Sequence, residues 1–299
     1  MKKTLILGTV NLLCKLHLLS PMQVAKLKFY YKFHRFPDFK HPTDLNEKIN
    51  WMKFYGDTSM WADLADKYKV REYIASKGLE DTLVKLYGKW DNANDIDWDS
   101  LPNEFVLKVN NGCGDVLICR DKNKLKKAEV IAKYNSLVSM KYGDVTGEPH
   151  YAHIKPCIIA EELLDISKQA IPSSSLIDYK IWCLNGKPYL TWCAWNRRGA
   201  CGADCGVYDY EWNYRPEYSV FNQHYCESST RIPRPANLQR MYDVASKLSE
   251  GFPILRVDLY EVDGKIYFGE LTFTSLGGFM DYFTPDILLK MGNKVNLNN

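Results

Sequence analysis

The segment "RVDLYEVDGKIYFGELTF", Arg256 to Phe273, constrains this chain more than any other. Apolar residues alternate with polar ones up to an Asp-Gly pair and resume beyond it, the pattern of an antiparallel hairpin. A second such segment, "DYKIWCLNGKPYLTWCAWNR", turns at Asn185-Gly186. Tight turns of this kind join antiparallel strands, whereas parallel strands need long crossovers. With helical stretches before and between the hairpins, the pattern predicts an α+β (mixed α/β) fold rather than a doubly wound parallel sheet.

The first hairpin also carries acids where a core strand rarely tolerates them. Asp258 and Glu270 lie among Val257, Leu259, Phe268 and Leu271, and a carboxylate in such company needs a partner. With Val262-Asp263-Gly264 as the loop, Glu261 faces Lys265 and even-numbered residues face even-numbered ones. Arg256, Asp258, Glu270 and Thr272 then share a face, with the two acids diagonal neighbours about 7–8 Å apart. A two-residue Asp263-Gly264 turn would instead send the acids to opposite faces. Carboxylates so spaced can share Mg²⁺ with the phosphates of a nucleotide.

A phosphate-binding element is legible upstream. "FVLKVNNGCGDV", Phe105 to Val116, is a strand ending in Lys108 and then a loop of little bulk. Such a loop lets backbone N–H groups approach an anion, and the lysine adds a point charge. The Walker pattern is absent, because no Gly-Lys-Ser/Thr opens a helix. "IIAEELL" is a short apolar strand ending in two acids, suited to a flat base and to ribose hydroxyls.

The remaining features bound the answer. A net charge of +3 over 299 residues does not call for a nucleic-acid partner. Nine scattered cysteines fit reduced thiols in the cytoplasm better than a disulfide frame. Residues 5–19 read as an amphipathic helix packed on its own protein, with peripheral membrane contact as the alternative. "MQVAKLKFYYKFHRF" is a basic-aromatic helix, "TDLNEKINWMKFY" a helix capped by Thr43 or Asp44, and "WADLADKYKVREYIASKG" one helix stopped at Gly78. "DIDWD" offers Asp95, Asp97 and Asp99 as a decoy metal motif in a connector. Cys201, Cys205, Cys226 and His224 lack zinc-site spacing. The aromatics between Trp192 and Tyr214 read mainly as core, and Arg197 and Arg198 as substrate or phosphate contacts.

Taken in order, "PTDLNEKINWMK", "ADKYKVREYI", "LPNEFVLKVNNGCG", "IIAEELL", "DYKIWCLNGK" and the Arg256 hairpin resemble the TupA-like ATP-grasp family, found among bacterial surface-polysaccharide genes. The resemblance implies a three-lobed fold that holds ATP between two antiparallel sheets. Its lobes would be a helical substrate lobe over 1–103, a lid over 104–163 and a C-terminal subdomain over 164–299. Lys67 and Lys108 resemble the nucleotide-contacting lysines, with Gly112 and Gly114 in the phosphate loop. Glu161, Glu162 and Leu163 resemble the adenine hinge, with Glu162 or Asp178 toward ribose. Asp258 and Glu270 resemble the Mg²⁺ carboxylates. Thr272 stands where the family commonly has asparagine, and Arg256 is placed for the transferred phosphoryl group. The implied activity is ATP-dependent joining of a carboxylate, such as a uronic acid, to an amine through an acyl phosphate. A sugar kinase or a glycosyltransferase is the alternative.

Overall fold

The computed structural model describes residues 19–112, 116–140, 148–199 and 202–297. The helix expected over 5–19 therefore lies almost wholly outside the described residues, as does Gly114. Helix α1, Pro21–Phe33, starts at Ser20, whose hydroxyl accepts from Gln23 N–H while the Gln23 side chain accepts from Ser20 N–H. Helix α2, Leu45–Tyr55, is capped by Asp44 through Glu47 N–H at 2.9 Å. Its buried polar face holds one loop of the C-terminal half. Asn46 binds Met280 O, Asn50 binds Gly278 O at 2.9 Å and the Lys53 ammonium binds Gly277 O at 2.7 Å. Leu276, Gly277 and Gly278 in that loop are all left-handed.

The single helix expected from Trp61 to Gly78 is two: α3, Trp61–Ala65, and α4, Val70–Ser76. Apolar periodicity continues across the break, so the sequence reads as unbroken. The Asp66 carboxylate captures Tyr68 N–H at 2.8 Å and Lys69 N–H at 3.2 Å, offering the backbone an alternative to the helix ladder.

Two sheets follow. The smaller runs β1-β4-β2-β3, from β1 (Leu86–Trp90), β2 (Phe105–Val109), β3 (Val116–Cys119) and β4 (Ile158–Glu161), all antiparallel. Phe105, Leu107 and Val109 alternate inward onto α5, Lys127–Ser139, where the Tyr134 hydroxyl donates to Leu107 O at 2.6 Å. Ala93, Ile96 and Leu101 join this lid core, and β1 is an edge of the lid sheet although it precedes residue 104.

The larger sheet runs β10-β9-β5-β6-β7-β8: β5 Asp178–Leu184, β6 Lys187–Trp195, β7 Ala203–Asp209, β8 Tyr225–Glu227, β9 Ile254–Val262 and β10 Lys265–Thr272. Only the β7–β8 pair is parallel. Helix α6, Leu238–Ser249, covers the back of this sheet with Leu238, Met241, Val244, Ala245 and Leu248, all buried. Helix α7, Pro285–Lys294, closes against α2.

Candidate active site between the two sheets

The β9–β10 hairpin gives the site its acids, by a route that differs from the expected one. The turn is the two-residue Asp263-Gly264, with φ of 55° and 69°, and Lys265 pairs with Val262 rather than with Glu261. Alone, that register would separate Asp258 from Glu270. A β-bulge at Gly269 inserts one unpaired residue between the Phe268–Leu259 and Glu270–Asp258 pairs and restores the shared face. A side chain at Gly269 would be crowded, since a Cβ there would lie 3.0 Å from Asp258 O and 3.1 Å from the Tyr260 ring, and one of them would have to give way. The acids are consequently directly opposite, not diagonal.

Cations surround them. Arg256 Nε donates to Asp258 Oδ1 at 2.7 Å, and its Nη2 reaches Asp258 Oδ2, Glu270 Oε1 and Thr272 Oγ1 at 2.8, 3.0 and 3.0 Å. Its Nη1 donates to Ser275 Oγ at 2.7 Å. Lys180, on the neighbouring strand β5, pairs with Asp258 and lies 3.5 Å from Asp178. Arg197, just past β6, pairs with Asp178. Burial works against each charge, and the neighbours decide the outcome. For Glu270, Lys67, Lys180 and Arg256 outweigh burial and hold the carboxyl well below the usual range. For Asp258, with its side chain 1% exposed, burial prevails over Arg256 and Lys180 and pushes the carboxyl up. The Lys180 ammonium is held above its ordinary range because Asp178 and Asp258 outweigh its burial.

Lys67 enters from the α3–α4 break. Its N–H donates to Asn110 O at 3.1 Å and its ammonium to Gly112 O at 2.7 Å. Asn110 is fully buried and ties the end of β2 to the break. Its Nδ2 donates to Asp66 at 2.8 Å and its Oδ1 accepts from Cys157 N–H at 2.7 Å.

On the lid sheet, Lys108 pairs with Glu161 at 2.5 Å, and Glu161 also meets Arg71 at 3.4 Å. By register, Val106, Lys108, Val116, Ile118, Ile159 and Glu161 share the face away from the lid core. Val116 and Ile118 are 47% and 54% exposed on it, bare apolar surface beside a lysine. Glu162 and Leu163 follow β4 half-buried, with Glu162 N–H donating to Lys85 O at 2.9 Å. Asp178 sits among the cations beside Asp258 rather than with Glu162.

Lys180, Arg71 and Asn110 are site residues that the sequence reading passed over. Lys180 had a signal, since it shares parity with Asp178 on a strand whose odd positions, Tyr179, Ile181 and Cys183, are apolar. The decoys fall away from the site. Asp97 closes a local turn with Ser100 N–H at 3.3 Å, and no cluster of three metal-ligating side chains occurs among the described residues. Cys205 is buried, its thiol pushed up to about 12 chiefly by burial, and Cys201 lies outside the described residues. Trp192, Trp195, Tyr208 and Trp212 are core, and Arg198 pairs with Asp204 at 2.8 Å.

The donor set suits a hard cation in kind, with two carboxylates opposite one another. Glu270, 38% exposed at its side chain, is the accessible member. Thr272 Oγ1 accepts from Arg256 and donates to Glu270 at 3.3 Å, so its hydroxyl serves the acid.

Among solved structures, the chain is similar to a D-alanine–D-alanine ligase from Bacillus anthracis, at 14% identity and a TM-score of 0.46, covering 78% of this chain and 67% of that one. A D-alanine–D-alanine ligase from Helicobacter pylori matches at 13% identity and a TM-score of 0.41, covering 86% and 68%. A phosphoribosylamine–glycine ligase from Thermotoga maritima matches at 13% and 0.40, covering 80% and 57%. No curated protein matches the chain. The TupA-like ATP-grasp family matches residues 47–296, most of the sequence, and the chain belongs to that family.

Proposed function

We propose that this protein is an ATP-dependent ligase that activates a carboxylate as an acyl phosphate and passes the acyl group to an amine. The observation that carries the reading is the charge arrangement. Lys67, Lys180, Arg197 and Arg256 outnumber Asp178, Asp258 and Glu270 in a largely buried cluster, beside the exposed apolar face of the lid. A cluster with surplus cations favours a polyphosphate, and a bare apolar surface favours a base.

In this reading Val116 and Ile118 bed the base, Glu162 lies toward ribose, and Lys67 and Lys108 hold the phosphates. Lys108 exchanges part of its pairing with Glu161 for phosphate oxygen. A carboxylate oxygen of the acceptor attacks the γ-phosphorus, and the bond to the ADP oxygen breaks with its electron pair. Arg256 and Arg197 face the charge that develops on the transferred group. An amine then attacks the acyl carbon, the C–N bond forms, the nitrogen loses a proton, and phosphate leaves with the C–O electrons. Mg²⁺ held by Asp258 and Glu270 would supply charge neutralisation on the phosphates. The family's setting in surface-polysaccharide biosynthesis favours a uronic acid or amino acid as the carboxylate, drawn with ATP from the cytoplasm.

The test is incubation with ATP, Mg²⁺ and paired acids and amines, read as ADP release and by mass spectrometry. The ligase reading expects a product weighing the sum of acid and amine less one water. A product that gains phosphate on a hydroxyl overturns it in favour of a kinase, and absence of ATP binding overturns both.

A further inference from the structure

Glu161 ends β4 with its carboxylate 9% exposed, and two cations from different parts of the chain reach it. Lys108, on the lid strand β2, lies at 2.5 Å. Arg71, on α4 outside the lid, brings its Nη1 to 3.4 Å. Lys108 stands opposite Ile159 and Glu161 opposite Val106, so the lysine and the acid are diagonal neighbours on one sheet face.

Arg71 is held where the chain enters and leaves the lid. Its Nη2 donates to Val84 O at 2.9 Å. Val84 precedes β1 and packs with Leu164, which follows β4, and with Val262 of the larger sheet. Glu162 N–H donates to Lys85 O at 2.9 Å and joins the two crossing segments. Helix α4 is fixed in turn by the break ahead of it, where Asp66 binds Asn110 and Lys67 binds Gly112 O.

The phosphate site proposed above draws Lys108 toward ATP, and the present inference rests on that reading. A largely buried carboxylate that loses its close cation is costly, more so than the intact pair is stabilising. Of the cations around the site, Lys67 is already assigned to the phosphates, and Lys180, Arg197 and Arg256 pair with acids of the larger sheet. That leaves Arg71 for Glu161. We infer that Arg71 is a positioning residue for ATP, taking over the counter-charge of Glu161 as Lys108 turns to the phosphates. At 3.4 Å its contact is longer than the about 2.7–2.9 Å of a close charge-assisted bond, so it has strength to gain when Lys108 withdraws. The guanidinium fork can hold Val84 O and Glu161 together, which a single ammonium does less readily. Arg71 acts on the nucleotide through Lys108 and Glu161 and does not touch it.

The experiment is calorimetric titration of the full chain with ATP and Mg²⁺. The proteins are the wild type, Arg71→Met, Glu161→Gln, the double variant of these two, and Lys108→Ala. Methionine keeps the packing of the arginine stem, and folding is checked by melting before each titration. If Arg71→Met melts too low to titrate, Arg71→Lys replaces it, with a smaller loss in the same pattern. Arg71→Met should weaken ATP about 10- to 100-fold when Glu161 is present, as for loss of a bond to a charged group. In the Glu161→Gln background the same change should matter by less than about twofold, because no carboxylate is left to strand. An equal loss in both backgrounds overturns the inference, since Arg71 would then touch the nucleotide itself or serve only to hold Val84. Wild-type affinity in Arg71→Met, with Lys108→Ala weakened, overturns the inference and leaves the phosphate site standing. Wild-type affinity in Lys108→Ala overturns the phosphate site and the inference together.

Discussion

The lid sheet and the six-stranded sheet turn opposite kinds of surface toward the site. The lid offers exposed Val116 and Ile118 and a single tight ion pair, Lys108–Glu161. The larger sheet offers Asp178, Lys180, Arg256, Asp258 and Glu270 on adjoining strands, mostly buried and interlocked. The lid therefore has apolar area left to bury, whereas the larger sheet has already met the desolvation cost of its charges. A ligand with a flat base and a charged tail would fit the two surfaces in that order.

The largest expected effect breaks the comparison on the charged side. Asp258→Asn leaves Arg256 and Lys180 without their shared buried counter-charge and should destabilise the fold by about 3 kcal/mol. Glu270→Gln, at a more exposed carboxylate, should cost less than about 1 kcal/mol. Both should lower ATP turnover by roughly 10²–10³-fold, as for loss of a charge-stabilising group. Chemical denaturation beside an ADP-release assay separates the two. Equal stability losses would mean that the acids share one environment after all. Next comes Lys108→Ala, expected to weaken ATP binding by about 1.5–3 kcal/mol in calorimetry, because a hydrogen bond to a charged group is lost. Unchanged affinity would remove the lid's lysine from the phosphate site. The smallest effect sharpens the apolar side. Val116→Ser or Ile118→Ser should weaken ATP by about 1 kcal/mol each while leaving the melting temperature within a degree or two, since neither residue is buried without ligand. A large fall in melting temperature would show instead that they hold the lid together.

Much of this was readable from residue order, and the lapses have physical causes. "FVLKV" read as a strand and is one, and in the structure Lys108 faces away from Phe105 and Leu107. The Asn185-Gly186 turn was local and came out as read, and of Thr43 and Asp44, the two residues offered as the cap, the structure uses Asp44. The α3–α4 break was hidden because its cause is a side chain capturing backbone N–H groups and a partner, Asn110, distant in sequence. Strands β7 and β8 escaped because β8 has three residues and pairs in parallel within a stretch rich in glycine and cysteine. The acid pair was placed on one face for the wrong reason. No local pattern distinguishes a three-residue loop from a two-residue turn followed by a bulge, and the close approach at Gly269 is visible only in three dimensions.

That bulge behaves like a second frameshift that cancels the first. Between the tip and Gly269 the hairpin runs in one reading frame, and beyond it the frame that matters for the acids resumes. The bulge is therefore what lets an extra residue sit in β10 without turning Glu270 away from Asp258. Deleting Gly269 should leave Glu270 directly after Phe268 and still opposite Asp258, now with an uninterrupted ladder between them. Gly269→Val, which favours a regular strand, should instead press residue 269 into the place opposite Asp258 and turn Glu270 to the other face. Retained Mg²⁺-dependent ADP release in the deletion, and its loss in Gly269→Val, is the expected outcome.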